Sequence, residues 1–123
     1  MTMPGRAIVL FAHGSRDPSW CRPVEAVAQR VREVDATVPV RCAYLEVMDP
    51  DLPTAVRDLI RAGGIHRIAV VPMFLGVGRH AREDLPVLMA ALAREHPQIE
   101  FHIQPAIGED PRLIDLIAQI ALA

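Results

Sequence analysis

The chain has 123 residues, 51% of them apolar, which is enough to bury one core and too few for two, so one domain over residues 1–123 is expected. A net charge of -2 and an aromatic content of 4% exclude a surface built to attract nucleic acid, stack bases or adhere to an anionic membrane; an anionic ligand would have to be held by local arginines. No stretch approaches the roughly 18 unbroken apolar residues of a membrane span, and Pro4, Gly5 and Arg6 before a short apolar run do not read as a signal peptide, so a cytoplasmic location is expected. Cys21 and Cys42 form no C-x-x-C pair and read as packing residues of a reducing compartment.

Residues 6–12 (RAIVLFA) are a continuous apolar run closed by His13-Gly14, the pattern of a strand covered on both faces. From Ser19 the apolar residues recur at Trp20, Val24, Val27, Val31 and Val34, which predicts a helix started by Pro18-Ser19. Residues 38–45 (VPVRCAYL) predict a second strand. Asp49-Pro50-Asp51 is a turn that can cap the next helix, whose stripe is Leu52, Ala55, Val56, Leu59 and Ile60 and whose end is Gly63-Gly64. Residues 67–72 (RIAVVP) are a third buried run, and residues 73–80 (MFLGVGRH) form a glycine-bearing loop. A helix is predicted from about Asp84 and Pro86, with Leu85, Leu88, Met89 and Leu92 on one face and its end near His96-Pro97. Residues 99–103 alternate, Ile99, Phe101 and Ile103 against Glu100 and His102, as in an edge strand with one wetter face. Asp110-Pro111 opens a last helix with Leu113, Ile114, Ile117 and Ile120 as its buried stripe.

The order βαβαβαβα predicts a single-domain Rossmann-like α/β unit, a four-stranded parallel sheet with helices on both faces. Ligand-binding residues of such sheets lie beyond the carboxyl ends of the strands. Three strand ends there offer His13, Glu46 and, after the glycine loop, His80. Two imidazoles and a carboxylate suit a borderline divalent ion such as cobalt, nickel or iron. The separations in sequence are long, so the spacing alone does not choose between metal handling and quieter roles: a core histidine at 13, a helix-capping or arginine-paired glutamate at 46, a solvated helix-start residue at 80. Ser15 lies in no G-x-S-x-G elbow. Gly76-Val77-Gly78 lacks the third glycine of a dinucleotide fingerprint and follows the third strand instead of the first.

Three segments carry a resemblance: AHGSRDP (residues 12–18), YLEVMDP (44–50) and, the most specific, VVPMFLGVGRHAREDLP (70–86). Through them nearly the whole chain resembles the small, single-domain sirohydrochlorin chelatases of the CbiX type, within the class II chelatases. The resemblance implies a metal chelatase that inserts a divalent metal, cobalt first and nickel or ferrous iron as alternatives, into a tetrapyrrole on a route to cobalamin or sirohaem, without an organic cofactor. It carries the active-site histidines onto His13 and His80 and the accompanying glutamate onto Glu46, as catalytic residues and metal ligands. Relatives of double length have two similar halves, and the short forms pair, so a homodimer is implied. Sirohydrochlorin bears eight carboxylates. Arg16, Arg79 and Arg82 are therefore candidate clamps, and Ser15, Met73, Phe74 and Leu75 candidate walls for the macrocycle.

Two rival functions use the same residues. A metal or tetrapyrrole carrier would bind without turnover. A histidine-phosphatase-like enzyme would use His13 as nucleophile, but those enzymes place an arginine immediately before that histidine, where this chain has Ala12.

Overall fold

The amino-terminal apolar run becomes an interior strand of the sheet. In the computed structural model, which describes residues 4–123, β1 (Arg6–Ala12) pairs in parallel with β2 (Val40–Tyr44) on one side and β3 (Arg67–Pro72) on the other. β4 (Glu100–Ile103) adds to β3, giving the parallel order β2-β1-β3-β4. The predicted architecture is confirmed, with β4 at an edge. Strand ends differ by a residue or two from the sequence reading because pairing, not hydropathy, sets them.

Alternation along β1 sends its side chains into two cores. Ala7, Val9 and Phe11 pack with Leu52, Val56 and Leu59 of α2 (Leu52–Arg61) and with Leu85 and Leu92 of α3 (Arg79–Glu95). Leu10 and Ala12 face the other way, onto Val24 and Ala28 of α1 (Arg22–Val34). Burial on both faces accounts for a strand with no polar interruption.

Helix starts are where the structure revises the sequence reading. A 3-10 turn over Pro18–Cys21, capped by Asp17, precedes α1 and takes Trp20 out of the helical stripe. Of that predicted stripe only Val24 is buried; Val27 and Val34 are exposed. α3 begins at Arg79, not near Asp84, so the loop ends at Gly78, and Pro86 lies inside the helix. The reason is burial: Ala81 and Leu85, one turn apart on the inner face, extend the apolar stripe backwards past the proline. Asp51 caps α2 as expected, its carboxylate accepting the Thr54 N–H at 2.9 Å.

The largest departure is the last helix, α4 (Pro111–Leu122). Its cap is as predicted, but none of its residues is buried: Ile114, Leu116, Ile117 and Ile120 are 52%, 49%, 43% and 67% exposed. The predicted stripe exists and is not covered by this chain. α1 alone covers one sheet face, α2 and α3 the other. No helix among the described residues is long and apolar enough to cross a membrane.

Asp51→Ala is expected to lower stability by about 1 kcal/mol in urea denaturation, the usual worth of such a cap. Hydrogen bonds from Thr54 hold the Asp51 carboxyl below its ordinary 3.8. A depressed folded-state value means that its contribution is complete above pH 3.8 and disappears as the pH falls through the lower folded value, so the two proteins should converge in acid.

Candidate active site

The pairing of β1 with β2 does not stop where the strands end. Leu45 N–H donates to Ala12 O at 2.9 Å and Glu46 N–H to His13 O at 3.1 Å, so the ladder runs on into both loops. The loops can close on each other because residue 14 is glycine. Gly14 has φ +101°, and a Cβ there would lie 2.0 Å from the Glu46 carbonyl oxygen. Backbone contact thus sets the side chains: His13 Nε2 stands 3.3 Å from Glu46 Oε1, both about half exposed.

Behind His13 the β1–β3 pairing is likewise extended, Met73 N–H donating to Phe11 O at 2.7 Å. This carries Phe74 under the rim, where it is buried and meets both the Phe11 ring (6.2 Å) and the His13 ring (6.3 Å) edge-on. Phe74 therefore supports the imidazole from below. Met73 packs into the α1-side core, whereas Leu75 is 71% exposed on the rim. The loop after β1 is braced by its own polar groups: Ser15 Oγ accepts from Asp17 N–H, and Asp17 accepts from the Ser19 N–H and hydroxyl, which hold its carboxyl below the usual range.

His80 is placed differently from the other two candidates. It lies in the first turn of α3, 78% exposed, with Nε2 2.9 Å from Asp84 Oδ2. The structure brings His13 and Glu46 together and pairs His80 with Asp84 instead; among the described residues no group of three His, Cys, Asp or Glu side chains is poised around one ion. The sequence reading gives Asp84 only as a helix start, with no role at the site. Its signal is the four-residue spacing from His80, which counts only once the helix is known to begin before residue 80. The glycines of the loop do not bend around any other part of the chain, since a Cβ at Gly76 or Gly78 would meet nothing within 4 Å. Arg16 and Arg82 are exposed, Arg79 pairs with Glu83 at 3.1 Å, and Arg82 borders an apolar groove with Val77, Leu85, Met89 and Ile103.

Gly14→Ala is the substitution to which this geometry is most sensitive. The new methyl group collides with backbone at a positive φ, so a loss of about 2 kcal/mol or more is expected in chemical denaturation, together with separation of the His13–Glu46 pair. Unchanged stability would show that the two loops do not touch.

A model of the CbiX family matches residues 7–121. A sirohydrochlorin cobaltochelatase of Methanococcus maripaludis is 31% identical, with 90% of this chain and 94% of that protein covered. The crystal structure of a cobalamin-biosynthesis CbiX protein from Marinobacter aquaeolei superposes with a TM-score of 0.80 at 34% identity, over 94% of this chain and 93% of the other. The sirohydrochlorin chelatase SirB of Bacillus subtilis subspecies spizizenii, solved in complex with cobalt, gives a TM-score of 0.72 at 27% identity; 93% of this chain covers only 48% of that one. The chain thus spans nearly all of the short relatives and about half of the long one, and it belongs to the CbiX family.

Proposed function

We propose that this protein is a metal chelatase that inserts a divalent metal ion into sirohydrochlorin, in cobalamin or sirohaem biosynthesis, acting in the cytoplasm as a homodimer and without an organic cofactor. The observation that carries the proposal is the His13–Glu46 pair. Two metal–ligand bonds of about 2.1 Å meeting at about 104° span the 3.3 Å between Nε2 and Oε1, an angle between the octahedral and tetrahedral values. One imidazole and one carboxylate make an open site, which can release its ion as delivery to a macrocycle requires. Of the relatives, that of Methanococcus maripaludis is named a sirohydrochlorin cobaltochelatase, and a similar enzyme of Priestia megaterium is named a sirohydrochlorin ferrochelatase. The donor set here accepts cobalt, nickel and ferrous iron alike.

Insertion has three requirements: the ion must shed water, two pyrrole N–H protons must leave, and the macrocycle must be held. His13 and Glu46 displace water from the ion. His80, held by the Asp84 carboxylate in a fixed orientation, accepts the two ring protons in turn, releasing the first to solvent from its exposed ring before taking the second, with Asp84 stabilising the imidazolium each time. Arg16, Arg79 and Arg82 clamp the carboxylates at the macrocycle's periphery. The Arg79–Glu83 pair is exposed and costs little to exchange for a substrate carboxylate. Leu75 and Ser15 meet the macrocycle from the rim, while Met73 and Phe74 shape the floor that orients His13.

The test is insertion itself, followed anaerobically by the absorption spectrum of sirohydrochlorin with cobalt, nickel or ferrous ions. His13→Ala and His80→Ala should each lower the rate at least 100-fold with the circular dichroism spectrum unchanged. Asp84→Asn should lose roughly tenfold, the low end for a residue that orients another. Near-normal insertion by either histidine variant contradicts the assignment, and spectral change on binding without acceleration would make the protein a carrier.

A further inference from the structure

Directly after Glu46 the chain places valine in a conformation that valine disfavours. Val47 has φ +55°, the one positive value at a non-glycine residue among those described. The backbone there closes a three-residue γ-turn: Met48 N–H donates to Glu46 O at 2.8 Å, over a central residue whose φ has the sign of the rare, strained form. At positive φ a Cβ crowds the following carbonyl oxygen, and branching at that carbon makes the crowding worse. A turn that had only to bend would be served by glycine, which occupies the other positive-φ positions of the described chain.

Both flanks of the turn are fixed, so it cannot shift to relieve the strain. On one side Glu46 N–H donates to His13 O at 3.1 Å, and the Glu46 carbonyl lies against Gly14. On the other, Met48 packs in the α1-side core, and Tyr44 N–H donates to Pro50 O at 2.9 Å. Strained residues persist where the surroundings hold them in this way, and they gather at functional sites.

What the valine offers in return is an apolar side chain at the rim. It is 61% exposed and packs in neither core of the chain, so stability does not account for it. Leu75, 71% exposed, stands across the rim from it. Because β1 lies between β2 and β3, the rim carries in order Val47 with Glu46, then His13, then Leu75. Strands two places apart are separated by about 9.6 Å, a gap that a four-pyrrole ring bridges. The two exposed apolar groups thus stand on either side of the pair proposed to handle the metal, where a flat ring with a charged edge needs contact for its face.

We infer that Val47 is a substrate-binding residue, an apolar contact that with Leu75 seats the face of the tetrapyrrole over the His13–Glu46 pair, a role that rests on the chelatase reading for its ligand. Stability and binding are then opposed at this one position: a residue suited to positive φ stabilises the fold and loses the contact.

Three variants test this against the wild type. Val47→Gly and Val47→Asn suit a positive φ and remove the apolar branch, whereas Val47→Ile keeps it. Equilibrium binding of metal-free sirohydrochlorin is measured by its absorption and fluorescence, beside insertion kinetics and urea denaturation. In the Gly and Asn variants Kd should rise about fivefold or more, and the urea midpoint should rise in both. KM for sirohydrochlorin should rise with Kd while kcat stays within about twofold, the mark of a contact made equally before and during reaction. Val47→Ile should bind as the wild type does. An unchanged Kd in Val47→Gly overturns the inference, and insertion by the wild type then leaves the chelatase reading standing. A fall in kcat at unchanged Kd also overturns it and assigns the turn to the orientation of Glu46. A urea midpoint that rises in neither variant overturns the strain on which it is built. A wild type that binds sirohydrochlorin through Val47 but does not insert metal sinks the chelatase reading alone, and one that does not bind sirohydrochlorin sinks both.

Discussion

The contact on which the site depends is between two backbone segments. Because Gly14 has no side chain, the loop after β1 and the loop after β2 stay hydrogen-bonded beyond the sheet, and the first residue of each loop that carries chemistry is brought to the other. A parallel sheet delivers its strand ends to one rim whatever the sequence. What this chain adds is a glycine at which two such ends close on each other, with a histidine just before it on one loop and the glutamate it meets on the other. Phe74, brought beneath by the parallel extension of the β1–β3 pairing, gives the imidazole a buried aromatic support without shutting it off from solvent.

This arrangement divides polar groups by how firmly they are held. His13 and Glu46 sit on loops continuous with the sheet ladder. His80 and Asp84 sit on the first turns of α3, fixed relative to each other by helix geometry and exposed to whatever approaches the rim. In the proposed reaction, which holds an ion, gives it up and separately removes protons, two such pairs take the place of one closed cage.

The four parallel strands, the edge position of β4 and the residues at the rim are legible in the sequence because each rests on a local signal: buried runs for β1 and β3, alternation for β4, an aspartate cap for α2 and another for α4; the order β2-β1-β3-β4 is not. Nor are two other features. The start of α3 is hidden because Pro86 is a strong local start signal, and the burial of Ala81 that overrides it is a tertiary fact. The stripe of α4 was read correctly as apolar and wrongly as buried within the chain, because periodicity reports that a face needs a partner and says nothing about whose surface supplies it. The same holds for Val27 and Val34 of α1. At the site, His13, Glu46 and His80 were each identifiable, but the grouping of the first two and the engagement of His80 by Asp84 depend on a backbone approach and a helix boundary that no spacing reveals.

The most direct test of the central claim is spectroscopic: titrate cobalt(II) into the protein alone and record its visible and X-ray absorption. The ion should be bound by one imidazole nitrogen and a carboxylate oxygen, with water in the remaining positions. His13→Ala and Glu46→Gln should each abolish that spectrum while His80→Ala leaves it in place. A cobalt spectrum unaffected by loss of His13 or Glu46 would contradict the account, because the pair that the sheet brings together would then not be the pair that handles the metal.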